Sequence, residues 1–349
     1  MISRACLNSI VAAILLAGPS AATHAADPDP LFADDSIIDV RLSGPFKQIM
    51  KERPDEEELK GNFEYIAADG RPVSLEVNIR TRGNYRRRTE VCPFAPLRLN
   101  FKKKDLDETI FDKQDKLKLV THCDNGSRAY KQSIHKEYLA YRILNVMTPM
   151  SFRVRLLRIT YVYTDDNNDE ELTYAFLIES KDRLAKRINM EEQEVNAMSV
   201  TLLQPEYTNM TSVFQFLIGN LDFSPVMGAT GEQCCHNHTL FSADKKVYWS
   251  IPYDFDLAGF VEAPHAKPNP KYRQRSVRQR FYRGRCFNTE LLPATLQQFR
   301  DKRADIGAVV TGHTEMEAGR RKSLESYIED FYKQIEKDGA ADKLTKACI

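Results

Sequence analysis

The chain lacks a charge of one sign. Fifty lysines and arginines face 49 aspartates and glutamates, a net of +1. No global field therefore recruits nucleic acid or a membrane surface. It also lacks a long apolar run: after Ala17 no stretch approaches the roughly 20 residues that span a bilayer. No internal repeat is present, which excludes a repeat array. The acidic stretch Asp165 to Glu171 (DDNNDEE) lacks the order and the glycine of an EF-hand calcium loop. Apolar residues, by contrast, are ample. They make up 42% of the chain, with 18 Phe and 15 Tyr, enough for a sizeable core and too many for a disordered chain.

Residues 1–25 read as a cleavable secretory signal peptide. Arg4 gives a weakly positive start, Ile10 to Ala17 is an apolar run, and Gly18, Pro19 and Ser20 break it. Thr23-His24-Ala25 offers small residues at the two positions a signal peptidase reads, with cleavage before Ala26. The expectation is a bacterial protein exported to the periplasm or beyond, with 49 basic and 49 acidic residues after cleavage. Export permits disulfides among the cysteines that follow, Cys92, Cys123, Cys234, Cys235, Cys286 and Cys348. Cys92 with Cys123 is the favoured pair, and Cys234 or Cys235 with Cys286 would pin two loops. Zinc is the rival reading, but the adjacent Cys234-Cys235 lacks the two-residue spacer of zinc knuckles.

Beyond a polar extension (26–60) with one strand at Ile37 to Leu42, hydrophobic periodicity divides the chain. Val73 to Arg80 (VSLEVNIR) alternates as a half-buried strand should, and Asn62 to Ala67, Pro96 to Phe101 and Lys116 to Val120 follow suit. An amphipathic helix is expected from Tyr130 to Met147, then strands at Phe152 to Tyr163 and Thr173 to Glu179. After Ser180 the pattern is mainly helical: Asp182 to Ile188, Ser212 to Asn220 and 288–337. Short strands are expected at Thr239 to Ser242 and Val247 to Pro252. The expected layout is a strand-rich lobe (61–180) with one helix and a helical lobe (181–349), hinged near residues 178–184.

The densest chemistry lies between Gly219 and Gly259. It reads G-N-L-D-F-S from Gly219, H-N-H around Asn237, and Y-W-S-I-P-Y-D-F-D-L-A-G from Tyr248. An Asp after a helix, an Asn on a loop and an Asp closing a strand suit phosphoryl transfer. One carboxylate orients the attacking hydroxyl, while Asn and the second Asp hold magnesium through hard oxygen ligands. Upstream, Lys116 and Lys118 on a strand precede Glu137 on the helix, and a Lys118–Glu137 pair would serve the phosphates.

Arg80 to Arg88 (RTRGNYRRR), Pro96 to Phe101 (PLRLNF), Glu137 to Leu144 (EYLAYRIL), Tyr174 to Glu179 (YAFLIE), then G-N-L-D, H-N and W-S-I-P-Y-D-F-D follow one another in order. Over about residues 75–260 this order resembles the spore-coat protein H (CotH) kinase-like family. The resemblance implies an α+β, bilobal, atypical protein-kinase-like fold, with an antiparallel-sheet N-lobe carrying one helix and a mainly helical C-lobe. It implies Mg2+ and ATP, with Asp222 catalytic and Asn237, Asp254 and Asp256 as metal ligands. Arg82, Arg98, Lys118, Glu137 and Glu179 would serve the nucleotide, Glu179 from the end of the strand leading to the hinge. Two departures stand out. Asp222 and Asn237 are fifteen positions apart where protein kinases have five, and the family's phosphate-binding lysine falls near Phe94 or Ala95 here. The turn Arg82-Gly83-Asn84 is a candidate phosphate-covering loop, though with one glycine rather than three.

Two other readings belong to different classes. One is a catalytically silent envelope or surface assembly module. The other is a metal-dependent hydrolase in which His236 and His238 join Asp222, Asp254 or Asp256 at zinc or manganese. The basic run Lys271 to Arg285 (KYRQRSVRQRFYRGR) fits an acidic protein partner gripped through Arg forks.

Overall fold

A computed structural model describes residues 29–124 and 126–349; the signal-peptide reading falls outside these residues. The elements in chain order are β1 (Ile38–Gly44), α1 (Phe46–Glu52), β2 (Leu59–Ile66), β3 (Pro72–Thr81), β4 (Leu97–Phe101), β5 (Lys116–Val120) and α2 (Arg128–Met147). Then come β6 (Val154–Tyr163), β7 (Asp169–Ile178), α3 (Lys181–Arg187), β8 (Glu191–Gln193), α4 (Pro205–Ile218), β9 (His238–Ser242) and β10 (Trp249–Pro252). Four helices finish the chain: α5 (Leu292–Asp301), α6 (Arg303–Thr311), α7 (Ala318–Ile335) and α8 (Ala340–Lys346).

Seven strands close into a barrel in the order β1-β2-β3-β4-β5-β7-β6. Six pairings are antiparallel, and the seventh, β1 with β6, is parallel, with Ile38 opposite Leu157 and Gly44 opposite Tyr163. The alternation read in β3 is real: Val73, Leu75, Val77 and Ile79 are buried. They share the barrel interior with Phe63, Phe101, Phe111 and Tyr161, and Phe46 of α1 plugs one end edge-on to Tyr161. Side chains fill the lumen, as in other small barrels.

This architecture overturns the expected bilobal kinase-like fold. The sheet is a closed mixed barrel, not an antiparallel N-lobe sheet. The strand placed in the 26–60 extension is the one that closes it. The C-terminal half is not simply helical either, because a three-stranded sheet, β10-β9-β8, lies within it. The helix expected over 288–337 is interrupted between α6 and α7, from Gly312 to Glu317.

α2 joins the two halves. Ser127 caps its first turn by accepting from the Tyr130 amide, and Ile134, Tyr138, Tyr141 and Leu144 pack in one cluster with Phe214 of α4 and Phe331 of α7. α4 ends at Gly219, whose φ of 64° lies in the left-handed region; a Cβ there would sit 2.2 Å from the Tyr327 hydroxyl.

Three disulfides are present: Cys92–Cys123, Cys234–Cys235 and Cys286–Cys348. The first is the expected pair. The second and third correct the expectation, since Cys286 is taken by Cys348 and the adjacent cysteines bond each other. No thiolate remains among them for zinc. Disulfides are compatible with export, and no helix among the described residues is long and apolar enough to cross a membrane.

Candidate functional site

A cleft of about 590 Å³ opens between the outer face of β4–β5 and the loops around β9–β10. That size suits a small-molecule ligand. One wall follows from strand parity. Leu97 and Leu99 of β4 and Leu117 and Leu119 of β5 point into the barrel, so Arg98 and Lys118 point out. These two cations are direct cross-strand partners, and like charges directly opposite destabilise a sheet. Arg82, one residue past β3, lines the same wall. Its Nε is buried with no hydrogen-bond partner. Lys118 has the Tyr253 ring 4.9 Å from its ammonium. Desolvation, reinforced by Arg82 and Lys181, lowers the Lys118 pKa to about 8. Among the described residues none of these three cations has a carboxylate at ion-pair distance.

The facing wall carries the acids and amides. Asn220, just past the α4 cap, accepts from the Asp222 amide at 2.9 Å and turns Asp222 toward the cleft. The Asp222 carboxylate is held on both oxygens. His236 Nε2 lies 2.8 Å from Oδ1, and Asn237 Nδ2 donates to Oδ2 at 2.9 Å and to the Asp222 carbonyl at 2.7 Å. Asn237 thus spends its nitrogen on Asp222 and keeps its amide oxygen for another ligand. The hydrogen bond to Asp222 raises the His236 pKa. The Asn237 carbonyl accepts from the Tyr253 amide (2.9 Å), which brings the segment after β10 alongside. Asp254 follows with φ 61°, its amide donating to the Tyr141 hydroxyl at 2.8 Å.

Asp254 and Asp256 are neighbours, and each carboxyl acts on the other. Burial, then the charge of Asp256, pushes the Asp254 pKa up. Burial works against Asp256 too, but Arg86 and a hydrogen bond from His265 overcome it and hold that carboxyl below its usual range. Arg86 Nε is 3.2 Å from Asp256 and its Nη1 3.6 Å from Glu137, while His265 Nε2 is 3.0 Å from Asp256. One guanidinium therefore serves two buried acids. Desolvation leaves Glu137 with a raised pKa despite Arg86.

These contacts correct four expectations. Glu137 pairs with Arg86, not with Lys118, although Lys118 and Glu137 line the same narrow recess behind the cleft. Glu179 is not in the cleft: it is buried in an ion pair with Arg187 at 2.8 Å and accepts from the Arg153 amide. Asp256 is anchored by Arg86 and His265, so it positions Asp254 rather than facing a ligand freely. His236 and His238 do not act together, because Asn237 has φ 53° and breaks the alternation that would put them on one face. His238 is buried, stacks on Phe223 and sets its Nδ1 3.0 Å from the Ser250 hydroxyl. The H-x-H metal pair of the hydrolase reading is not assembled.

Sequence reasoning missed Arg86, His265 and Tyr141. Tyr141 was within reach, four residues after Glu137 on one helix face. Arg86 sat among three consecutive arginines that pattern cannot tell apart. Nothing in the sequence marked His265.

No family model matches the chain. No curated protein matches it either. The site must therefore be judged on its own chemistry. Among the described residues, the only three His, Cys, Asp or Glu ligand atoms within 4.8 Å of one another belong to Cys92, Cys123 and His265. Two of those atoms are disulfide sulfurs, so the set is not a metal site. Asp254, with a like charge beside it, and the Asn237 amide oxygen are hard donors of the kind magnesium takes. A site with few protein ligands suits an ion that keeps several waters and binds together with phosphate.

Proposed function

We propose that the cleft binds a magnesium–nucleotide complex and transfers its terminal phosphoryl group to a hydroxyl on a protein. The observation that carries this reading is the imbalance of the cleft. Arg82, Arg98 and Lys118 stand on one wall without carboxylate partners, and Asp222, Asn237 and Asp254 stand on the other. Three unpaired cations, two of them forced opposite each other on adjacent strands, are costly unless an anion completes them. A polyphosphate does so, and a divalent ion bridges it to the acidic wall. The resemblance of residues 75–260 to the spore-coat protein H family points the same way. The barrel is not the architecture that resemblance implies, so the proposal rests on the site and not on the fold.

The roles follow from geometry. Arg82, Arg98 and Lys118 hold the phosphates. Asn237 and Asp254 hold the ion, which withdraws charge from the phosphate oxygens. Asp222 uses one bond on each carboxylate oxygen and has lone pairs left, so it accepts the proton of the attacking hydroxyl. As the acceptor oxygen–phosphorus bond forms, the bond to the nucleotide's bridging oxygen breaks. Asp256 keeps Asp254 in place.

Thermal unfolding tests this. Mg-ATP at about 100 times its Kd raises the melting temperature by roughly 5 °C or more. In Asp254→Asn the magnesium-dependent part of the shift disappears. The same variant without ligand is more stable than the parent, because it loses the repulsion from Asp256. No shift with any magnesium nucleotide refutes the proposal and favours a catalytically silent assembly module.

A further inference from the structure

Asp222 borders two hollows. Beside the first lies a second cleft of about 290 Å³ that Arg82, Arg98 and Lys118 do not line, and Asp222 and Leu257 line both. Its outer wall is the segment from Lys267 to Pro270 with Gln274. It is too small for a second nucleotide and near the lower limit for ligand pockets, enough for a short stretch of extended chain. The wall is well held. Gln274 Oε1 accepts from the Asn269 amide at 2.7 Å, and Gln274 Nε2 donates to the carbonyls of Val277 and Gln279. Asn269 in turn accepts from the Lys271 amide at 3.0 Å.

The basic residues behind this wall fall into two sets, with Arg285 apart from both, half-buried and with no hydrogen-bond partner on its Nε. Arg278, Arg280 and Arg283 are spent on the protein itself. Arg278 pairs with Glu262 at 3.0 Å, Arg280 bonds the Leu217 carbonyl while lying 3.5 Å over the Tyr327 ring, and Arg283 bonds the carbonyls of Leu221 and Phe223. Arg280 and Arg283 tie the loop to the end of α4 and to the residues just past it, where carbonyls are left without helical partners. The other set is Lys267, Lys271, Arg273 and Arg275. All four are exposed, and none forms an ion pair among the described residues. They stand in or beside the outer wall of the second cleft. The chain as a whole is neutral, so this local excess is a property of the rim and not of the protein.

We propose that the second cleft is the acceptor subsite, and that its basic rim selects a peptide segment with acidic side chains next to the hydroxyl presented to Asp222. This rests on the phosphoryl-transfer reading for the role of Asp222. The occupant follows from charge complementarity and from the lining. Pro268 and Pro270 carry no backbone N–H and make a fixed wall, Leu221 and Leu257 give an apolar floor, and no aromatic platform for a sugar ring is present. The rim charges steer and discriminate more than they add affinity.

The test is binding, measured by fluorescence anisotropy on the intact chain. The probes are two labelled serine peptides, one flanked by glutamates and one by lysines, and a labelled polyglucuronate. The double variant K267E/R275E changes two exposed side chains that hold nothing else. The expected result is at least about fivefold tighter binding of the glutamate peptide than of the lysine peptide, reduced or reversed in the double variant and weakened by salt. Equal binding of the two peptides, no change in the variant, no binding of either peptide, or preferential binding of polyglucuronate overturns the proposal. The magnesium–nucleotide melting shift, measured on the same samples, must survive the double variant. Its absence in the parent chain refutes the phosphoryl-transfer reading separately, because peptide discrimination is read without nucleotide.

Discussion

Arg86→Met removes a single charge from the centre of the site and keeps most of the side chain's volume. In the parent, that guanidinium lies 3.2 Å from Asp256 and 3.6 Å from Glu137, with side-chain exposure of only 10%. The acids are equally enclosed, at 10% for Asp256 and 3% for Glu137. Breaking a buried pair by deleting one partner costs about 3–5 kcal/mol, because the charge left behind has neither water nor counter-ion. His265 still bonds Asp256, which places the expected loss near the lower end, about 3 kcal/mol. At this chain length that is a fall in melting temperature of roughly 6–12 °C. The loss has a definite pH signature. Without Arg86 the folded-state pKa of Glu137 rises further above its unfolded value, and that of Asp256 climbs from the depressed position, about 2, at which Arg86 helps to hold it. Between the parent's and the variant's folded values the variant still holds a proton that the parent has released, so its stability falls relative to the parent as pH rises. The deficit relative to the parent comes from Asp256 below about pH 8, where Glu137 is still protonated in the parent, and it is smaller near pH 4 than near pH 7. Thermal unfolding of both proteins across that range, compared as differences, reads this directly. A deficit of the same size at both pH values refutes the argument, because it would arise from lost packing and not from unpaired carboxylates.

The histidine pair His135 and His313 produces the opposite slope in the parent. Their ring nitrogens lie 2.9 Å apart, and burial depresses both, His135 to about 3 and His313 to about 4. Both are neutral in the folded protein and protonated when unfolded between those values and about 6.5. Stability therefore falls as pH drops below about 6.5, and His135→Gln flattens that limb in an acid-unfolding titration; an unchanged limb contradicts the assignment. The Cys286–Cys348 bond closes a loop of 62 positions and ties the chain end to the loop before α5. Replacing both cysteines with alanine costs roughly 2–4 kcal/mol in denaturant unfolding and leaves the magnesium–nucleotide shift intact. A lost shift would mean that this disulfide shapes the cleft.

The individual elements were largely legible in the sequence, and the way they assemble was not. β3, β4, β5 and α2 declare themselves through period, because each has one face on a core. The pairing of β1 with β6 leaves no such trace. Alternation says that Val40 and Leu42 face inward, but not which edge they complete. The candidate site divides in the same way. Asp222, Asn237 and Asp254 stood out by residue type and order, and they do meet at one cleft. Glu179 stood out as well, yet it went to Arg187, since a buried carboxylate takes the cation that three-dimensional proximity supplies. Arg86 became the centre of the acid cluster because its turn faces inward. Arg53 reaches that turn at the Arg87 carbonyl, and the Cys92–Cys123 bond ties down the chain just past it, neither of which pattern can register.

Closure of the barrel by β1 against β6 also sets an order of assembly. Ile38 meets Leu157, so the first strand of the barrel waits for almost its last before it has a second neighbour. Contacts this distant in sequence form slowly, since a long loop must be ordered before they return any stabilisation. Until then β1 and β6 each keep a bare edge of unpaired amides and carbonyls, the kind that other chains add to. A chain made from its N-terminus carries the first of these edges throughout the synthesis of residues 45–153. Its greatest exposure to aggregation therefore comes before the cleft's acidic wall has been made.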